Sequence, residues 1–288
     1  MLELHFAGYQ PARSVHTRAL HALGECLARL SAGALKLRVT ASIIACGRKA
    51  AELPALVEQG ALDGCYFASS YLTRRVPALG MFDQPFQAGS RADAFARLDG
   101  DTGTALAQEL ATMTGVIVLG WWDNGVRHIS NAVRPIRSPI DCVGLRLRTL
   151  DNAQHQAAFS RLGFRPRFID VADLTRAVAE RVVDAQENPL TNMVNFNLQA
   201  HHKHISLTGH LLGIAPLLVN AARYRSLPVA LRSALALAAR ASENVQRTLA
   251  VAEDTACLTQ LLNAGCTVLG PDAIDLPAFR TATAGAIA

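Results

Sequence analysis

Apolar residues recur along this chain at two alternating periods. Residues 2–8 alternate, with Leu2, Leu4 and Phe6 against Glu3 and His5, which predicts a first strand; Tyr9-Gln10-Pro11-Ala12 ends it. Residues 14–30 carry Val15, Ala19, Leu23, Leu27 and Leu30 at spacings of three and four. That spacing predicts an amphipathic helix, with Ser14 placed to cap it and Gly33 beyond its end. A strand follows at 35–40, a helix at 48–59 and a strand at 65–68. This β-α-β-α-β order implies parallel strands joined by crossover helices. Residues 81–86 read as a loop returning across the sheet, 91–98 and 104–113 as helices, and 116–121 as a buried strand. A second unit begins near Asn124, with strands at 126–130 and 145–150, a helix at 152–162, a strand at 167–169 and a helix at 171–182. Both units alternate in the same way, so the pattern predicts two α/β lobes.

The longest periodic stretch is 228–264, where Leu231, Leu235, Ala238, Val245, Leu249, Ala252 and Ala256 keep the helical face. Pro228 suits its start and Gly265 its stop. About 36 helical residues extend roughly 54 Å at 1.5 Å each, more than the width of one small lobe. Two readings stand: a helix broken by a kink, or one continuous helix running along both lobes and restraining a hinge. Residues 205–208 and 266–269 read as late strands, and 281–288 as a fraying end. The expected division is residues 1–123 with about 214–250 in lobe 1, and 124–213 with about 251–288 in lobe 2.

Composition narrows the function classes. Half of the 288 residues are hydrophobic, enough for a sizeable core. Net charge is +5, but only Lys36, Lys49 and Lys203 are lysines and the arginines are scattered. With no basic run or stripe, nucleic acid is not an expected partner, whereas a mild positive field suits small anions. No apolar run approaches the roughly 20 residues of a membrane span. The first residues show no basic segment followed by an apolar one, so no secretory signal is expected within the chain: either it is a mature form or it stays in the cytoplasm. Cys26, Cys46, Cys65, Cys142, Cys257 and Cys266 form no CxxC and no zinc spacing, and are expected as separate buried or half-buried thiols. His201, His202, His204 and His210 cluster, and the expectation is a partly exposed turn rather than a metal site. Dinucleotide, phosphate-loop, zinc-protease and nucleophile-elbow signatures are all missing, and no cofactor or metal is expected.

What remains is recognition chemistry. A guanidinium meets a carboxylate with two parallel hydrogen bonds, and an asparagine amide can donate beside it. Arg148 ends the alternating Gly144-Leu145-Arg146-Leu147-Arg148, at the carboxyl end of a strand where open α/β sheets place ligands. Arg127 follows Asp123-Asn124-Gly125, and Asn188 lies in Asp184-Ala185-Gln186-Glu187-Asn188-Pro189. Taken singly, each arginine reads more readily as a surface charge.

In combination these segments resemble one family. Trp122-Asp123-Asn124-Gly125-Val126-Arg127, Ser130-Asn131, Arg134-Pro135-Ile136, Ser138-Pro139-Ile140-Asp141, Gly144 to Arg148, Leu162-Gly163 and Val183 to Pro189 stand in the order and spacing of the DctP-type solute-binding receptors of TRAP transporters. Gly60-Ala61-Leu62-Asp63-Gly64 fits the same pattern. The resemblance implies an α/β, two-lobed periplasmic-binding-protein-like fold with a ligand cleft between the lobes and one long lobe-spanning helix. It implies a periplasmic, monomeric receptor that is not an enzyme, binds a small organic acid carboxylate and delivers it to the membrane permease subunits of a sodium-coupled TRAP transporter. It maps the carboxylate-binding arginine onto Arg148, with Asn188 beside it, and a second contact onto Arg127. Further ligand-facing positions fall at Tyr9, Ala68-Ser69, Asp170 and Val171. Trp121 and Trp122 read as core, with a cleft-wall role open to one of them, and Trp122 is the candidate. Closure is expected to bend the chain near Asn124 and Gly213.

Where relatives that bind sialic acid carry an Asn and a Glu, this chain has Tyr9 and Ala68, and their aromatic wall position is Val171. Those differences point to a smaller or more apolar acid, aromatic ones included. The alternative is a stand-alone carboxylate sensor without a permease. An enzyme on this fold, using His210 or Cys142, is the least supported reading.

Overall fold

The computed structural model describes residues 1–86 and 89–284. The chain runs β1 (Leu2–Ala7), α1 (Val15–Leu30), β2 (Leu35–Thr40), α2 (Leu53–Glu58), β3 (Gly64–Tyr66), α3 (Arg91–Asp99), α4 (Asp101–Met113) and β4 (Val116–Asn131). It continues through β5 (Arg146–Thr149), α5 (Ala153–Arg161), β6 (Arg165–Phe168), α6 (Val171–Ala179), β7 (Ala185–Pro189), α7 (Leu190–Asn195) and β8 (His204–Asn220). α8 (Ala221–Ser226), α9 (Val229–Asn263), β9 (Thr267–Leu269) and α10 (Leu276–Thr283) complete it.

The contacts divide the chain into two compact units. Unit 1 holds Met1–Ser69, Ala92–Asp123 and Ile214–Val251; unit 2 holds Ser70–Arg91, Asn124–Gly213 and the chain from Ala252. In unit 1, β1 lies between β2 and β3 and is parallel to both, and β3 pairs antiparallel with β8. In unit 2 the strand order is β8-β4-β7-β5-β6, with β9 on β8. There β4 and β7 are antiparallel, while β5 is parallel to β6 and β7. The segment 70–91, expected in the first lobe, belongs to unit 2. The cause is a buried polar knot: Asp83 accepts from Ser70 Oγ at 2.5 Å and from Asn152 Nδ2 at 3.0 Å, and Asn152 also donates to the Ser70 carbonyl.

Local chemistry explains where elements start and stop. Ser14 caps α1 by accepting from the Thr17 N–H at 3.2 Å. The helix expected at 48–59 is shorter, because residues 50–52 form a tight 3₁₀ turn before α2. Residues 77–82, partly read as loop, are 3₁₀ as well. The helix expected to reach 182 ends at Ala179, since Arg181 takes a left-handed φ of 55°. β4 is one strand where two were expected. Gly125, at φ 89°, bends it without ending it, and any side chain there would strike Pro189. β8 likewise joins 205–208 to the apolar run after it.

α9 is unbroken over 35 residues, which decides between the two readings of that stretch. Leu235, Ala238 and Ala239 bury its first part in unit 1, and Cys257 and Leu261 pack with Leu190, Met193 and Ile205 in unit 2. The centre of unit 2 is built on Ile129, Leu147, Phe159, Phe164 and Phe279. None of the six cysteines is in a disulfide, and Cys46 is exposed rather than buried. The turn before β8 is partly exposed, with His201 exposed and His204 half-buried, but His202 and His210 are buried. α10 holds residues 276–283 in a helix, and the rest of the end expected to fray lies outside the described residues from 285 on.

Candidate ligand-binding site

β5 is a central strand of unit 2, with Arg148 opposite Arg167 on β6 and Gln186 on β7. Burial on a central strand leaves its long side chain no route to water: Arg148 is fully buried. Its Nε donates to the Ile169 carbonyl at 2.8 Å, and Nη2 stands 3.5 Å from Tyr71 Oη. Nη1 is buried with no hydrogen-bond partner among the described residues. A guanidinium stays charged at any accessible pH, so a buried N–H of this kind is costly until an acceptor, best an anion, meets it.

Arg127 differs. It lies on β4, and its Nε donates to Glu187 Oε2 at 2.5 Å while Nη2 donates to Oε1 at 2.9 Å and to the Glu187 carbonyl at 2.8 Å. Both side chains are buried, so the charge of Arg127 is met within the protein. Glu187 also accepts from Thr149 Oγ1 at 3.0 Å, and His210 Nε2 lies 3.4 Å away. Burial alone would raise the Glu187 pKa; the Arg127 charge and the bonds from His210 and Arg127 outweigh it and hold the carboxyl well below its usual range. The His210 imidazole is itself shifted down by burial, against the pull of Glu187.

Asn188 lies two residues beyond Gln186, on the same face of β7. Its Oδ1 accepts from Asn192 Nδ2 at 2.9 Å and from Arg127 Nη2 at 3.3 Å. Its Nδ2 donates to Gln186 Oε1 at 2.5 Å, and a primary amide has a second N–H to give. Unit 2 therefore assembles Arg148, Arg127 and Asn188 on three neighbouring strands, with only Arg148 showing an unmet charged donor. Asp170 serves as the cap of α6, its Oδ1 accepting from the Ala172 N–H at 2.8 Å, and Val171 is the buried first residue of that helix.

The remaining candidates lie in unit 1. Tyr9 and Ser69 are buried, and Tyr9 packs its ring 5.3 Å from that of Tyr66. Trp122 is fully buried and stacked 5.8 Å from Tyr66, with Nε1 lacking a partner among the described residues. Trp121 is also buried, and its backbone N–H donates to Glu243 of α9 at 2.7 Å.

Residues 6–288 match the family model described as bacterial extracellular solute-binding protein, family 7. The chain belongs to that family. A solute-binding protein of Verminephrobacter eiseniae is 33% identical over 231 residues, which is 79% of this chain and 67% of the relative. A Bordetella TRAP periplasmic solute-binding protein, solved with density assigned to pantoate, superposes with a TM-score of 0.93 at 28% identity, covering 99% of this chain and 93% of that one. One from Polaromonas, bound to D-erythronate, gives a TM-score of 0.93 at 27% identity with the same coverage.

Family-7 proteins are solute-binding receptors, not enzymes, which accounts for the missing catalytic signatures. In this family-7 chain the sequence reading overlooked two groups at the site. Glu187 stood inside a quoted motif, but nothing in its spacing signalled that it takes up the charge of Arg127. Tyr71 follows Ser69-Ser70 in a 3₁₀ turn with no periodic pattern, and only the fold brings it to Arg148.

Proposed function

We propose that this protein is a periplasmic receptor that binds a small organic acid by its carboxylate and delivers it to a sodium-coupled TRAP permease. The observation that carries this reading is Arg148 Nη1, a buried charged donor with no partner among the described residues. The ligand carboxylate takes that donor, and the second Asn188 N–H serves the same anion. Arg127 supports the site through Glu187 and Asn188. Tyr9, Ser69 and Trp122 in unit 1, and Asp170 and Val171 in unit 2, complete the set of ligand-facing positions. Asn124 and Gly213 are the hinge: both stand at unit boundaries, and a Cβ on Gly213 would lie 3.1 Å from that of Asn124. The acids named for the Bordetella and Polaromonas proteins are short hydroxy acids, and they agree with the lack of an Asn and a Glu at Tyr9 and Ala68.

A thermal-shift screen over short hydroxy acids, dicarboxylates, sugar acids and aromatic acids tests the reading. A ligand at 100 times its Kd adds about 2.7 kcal/mol of stability, a plain rise in Tm. At least one carboxylate should give that rise, and its primary amide should not. Equal stabilisation by acid and amide, or none by any acid, would refute the proposal.

A further inference from the structure

We propose that Tyr71 is a ligand-binding residue whose phenol donates a second hydrogen bond to the carboxylate held by Arg148. The inference rests on the receptor reading above and adds a specificity residue to it. The geometry around Arg148 supports it. Tyr71 Oη is 3.5 Å from Arg148 Nη2, on the guanidinium whose other terminal nitrogen, Nη1, is unmet. In that contact the phenol oxygen accepts from the guanidinium, at the long limit of a hydrogen bond. A carboxylate seated on this guanidinium comes within reach of Oη, and the phenol O–H donates to it while the phenol oxygen still accepts from Nη2.

The position of the ring is fixed from both sides. Tyr71 ends the 3₁₀ turn that starts at Ser69, and that turn is tied down by Asn152 Nδ2 on the Ser70 carbonyl at 3.1 Å and by Ser70 Oγ on buried Asp83. On the other side the ring meets Phe168 edge-on, at 6.4 Å between centroids. Phe168 itself is 42% exposed. The two rings therefore form an apolar wall next to the anion position, suited to the short or apolar tail of a small acid rather than to a long polyol. The charges acting on the phenol include Arg148 on β5, Asp170 before α6, Arg127 on β4 and Glu187 on β7. Burial shifts its pKa up, with Arg148 acting in the opposite sense, so it is a neutral O–H donor at pH 7.

The test uses the full chain with pantoate and D-erythronate as probes. Tyr71→Phe keeps the ring and the Phe168 contact and removes only the hydroxyl. Calorimetry should show affinity for the bound probe falling roughly 10- to 100-fold, as expected for a hydrogen bond to a charged group, and because the ring is kept, packing does not explain that loss. A co-crystal structure of the wild type should place Tyr71 Oη within about 3.2 Å of a ligand carboxylate oxygen. Unchanged affinity in Tyr71→Phe, or a carboxylate bound out of reach of Oη, overturns the inference. If Arg148→Ala abolishes binding while Tyr71→Phe does not, only this inference falls. If no acid of the thermal-shift screen binds, or Arg148→Ala binds as well as the wild type, the receptor reading falls with it.

Discussion

Two arginines on the strands either side of β7 carry the same charge into the same interior and do opposite things. Arg127 is met bidentately by Glu187, while Arg148 keeps one donor unmet. Removing Arg127 leaves a buried carboxylate without its counter-charge, so Arg127→Met should cost about 3–5 kcal/mol of folding stability. Removing Arg148 takes away an unmatched charge, strands the Ile169 carbonyl and loses the long contact to Tyr71 Oη, so Arg148→Met should stay within about 1 kcal/mol of the wild type or exceed it. Urea denaturation of the ligand-free proteins checks both; equal losses would contradict the distinction. At this scale the sequence was a partial guide. It singled out Arg148, Arg127 and Asn188 by resemblance, but ranking the two arginines needs the location of Glu187's oxygens, which no spacing encodes. Asp170 shows the same limit: the resemblance placed it beside the Val171 wall, and its role in capping α6, accepting from the Ala172 N–H, was not read from the sequence.

Among the elements, α9 and β4 are joined by side-chain clips. Gln246 accepts from the Asp123 N–H at 2.8 Å and donates to the Asp123 carbonyl at 2.6 Å, and Glu243 accepts from the Trp121 N–H. Residues 121–123 thus satisfy strand peptides with a helix's side chains, at the end of β4's share of unit 1. Gln246→Leu orphans two buried backbone groups and should cost about 2–4 kcal/mol, measured by thermal or urea unfolding. A loss under about 0.5 kcal/mol would mean the clip adds nothing beyond packing. The length of α9 was readable from its 3-4 spacing, and so were the cap of α1 and the extent of β2. The continuity of β4 was not, because Asp123-Asn124-Gly125 has turn chemistry, and only the backbone shows a bent strand rather than a break.

For the molecule as a whole, buried histidines set the acid limit of stability. Burial pushes His16 down to about 3 and His202 to about 4 from an ordinary value near 6.5. Their unfolded forms bind protons that the folded forms refuse. Stability is therefore complete above about pH 6.5 and is lost as pH falls towards 4, at roughly 1.4 kcal/mol per pH unit for each histidine. Burial lowers His128 to about 3 as well, so the three together should give a slope of about 4 kcal/mol per unit near pH 5, and His16→Phe should remove about a third of it. A flat profile between pH 6 and 4.5 would contradict this assignment. The two α/β units were legible from the repeated strand–helix alternation. The place of 70–91 was not, because Ser70, Asp83 and Asn152 meet only after folding.

The most direct test of the central claim is calorimetric titration of the wild type and Arg148→Ala with the acid that gives the largest thermal shift. Truncating one partner of a buried charge pair costs about 2–5 kcal/mol, so the variant should bind roughly 30- to several-thousand-fold more weakly. An unchanged affinity in Arg148→Ala would contradict the account.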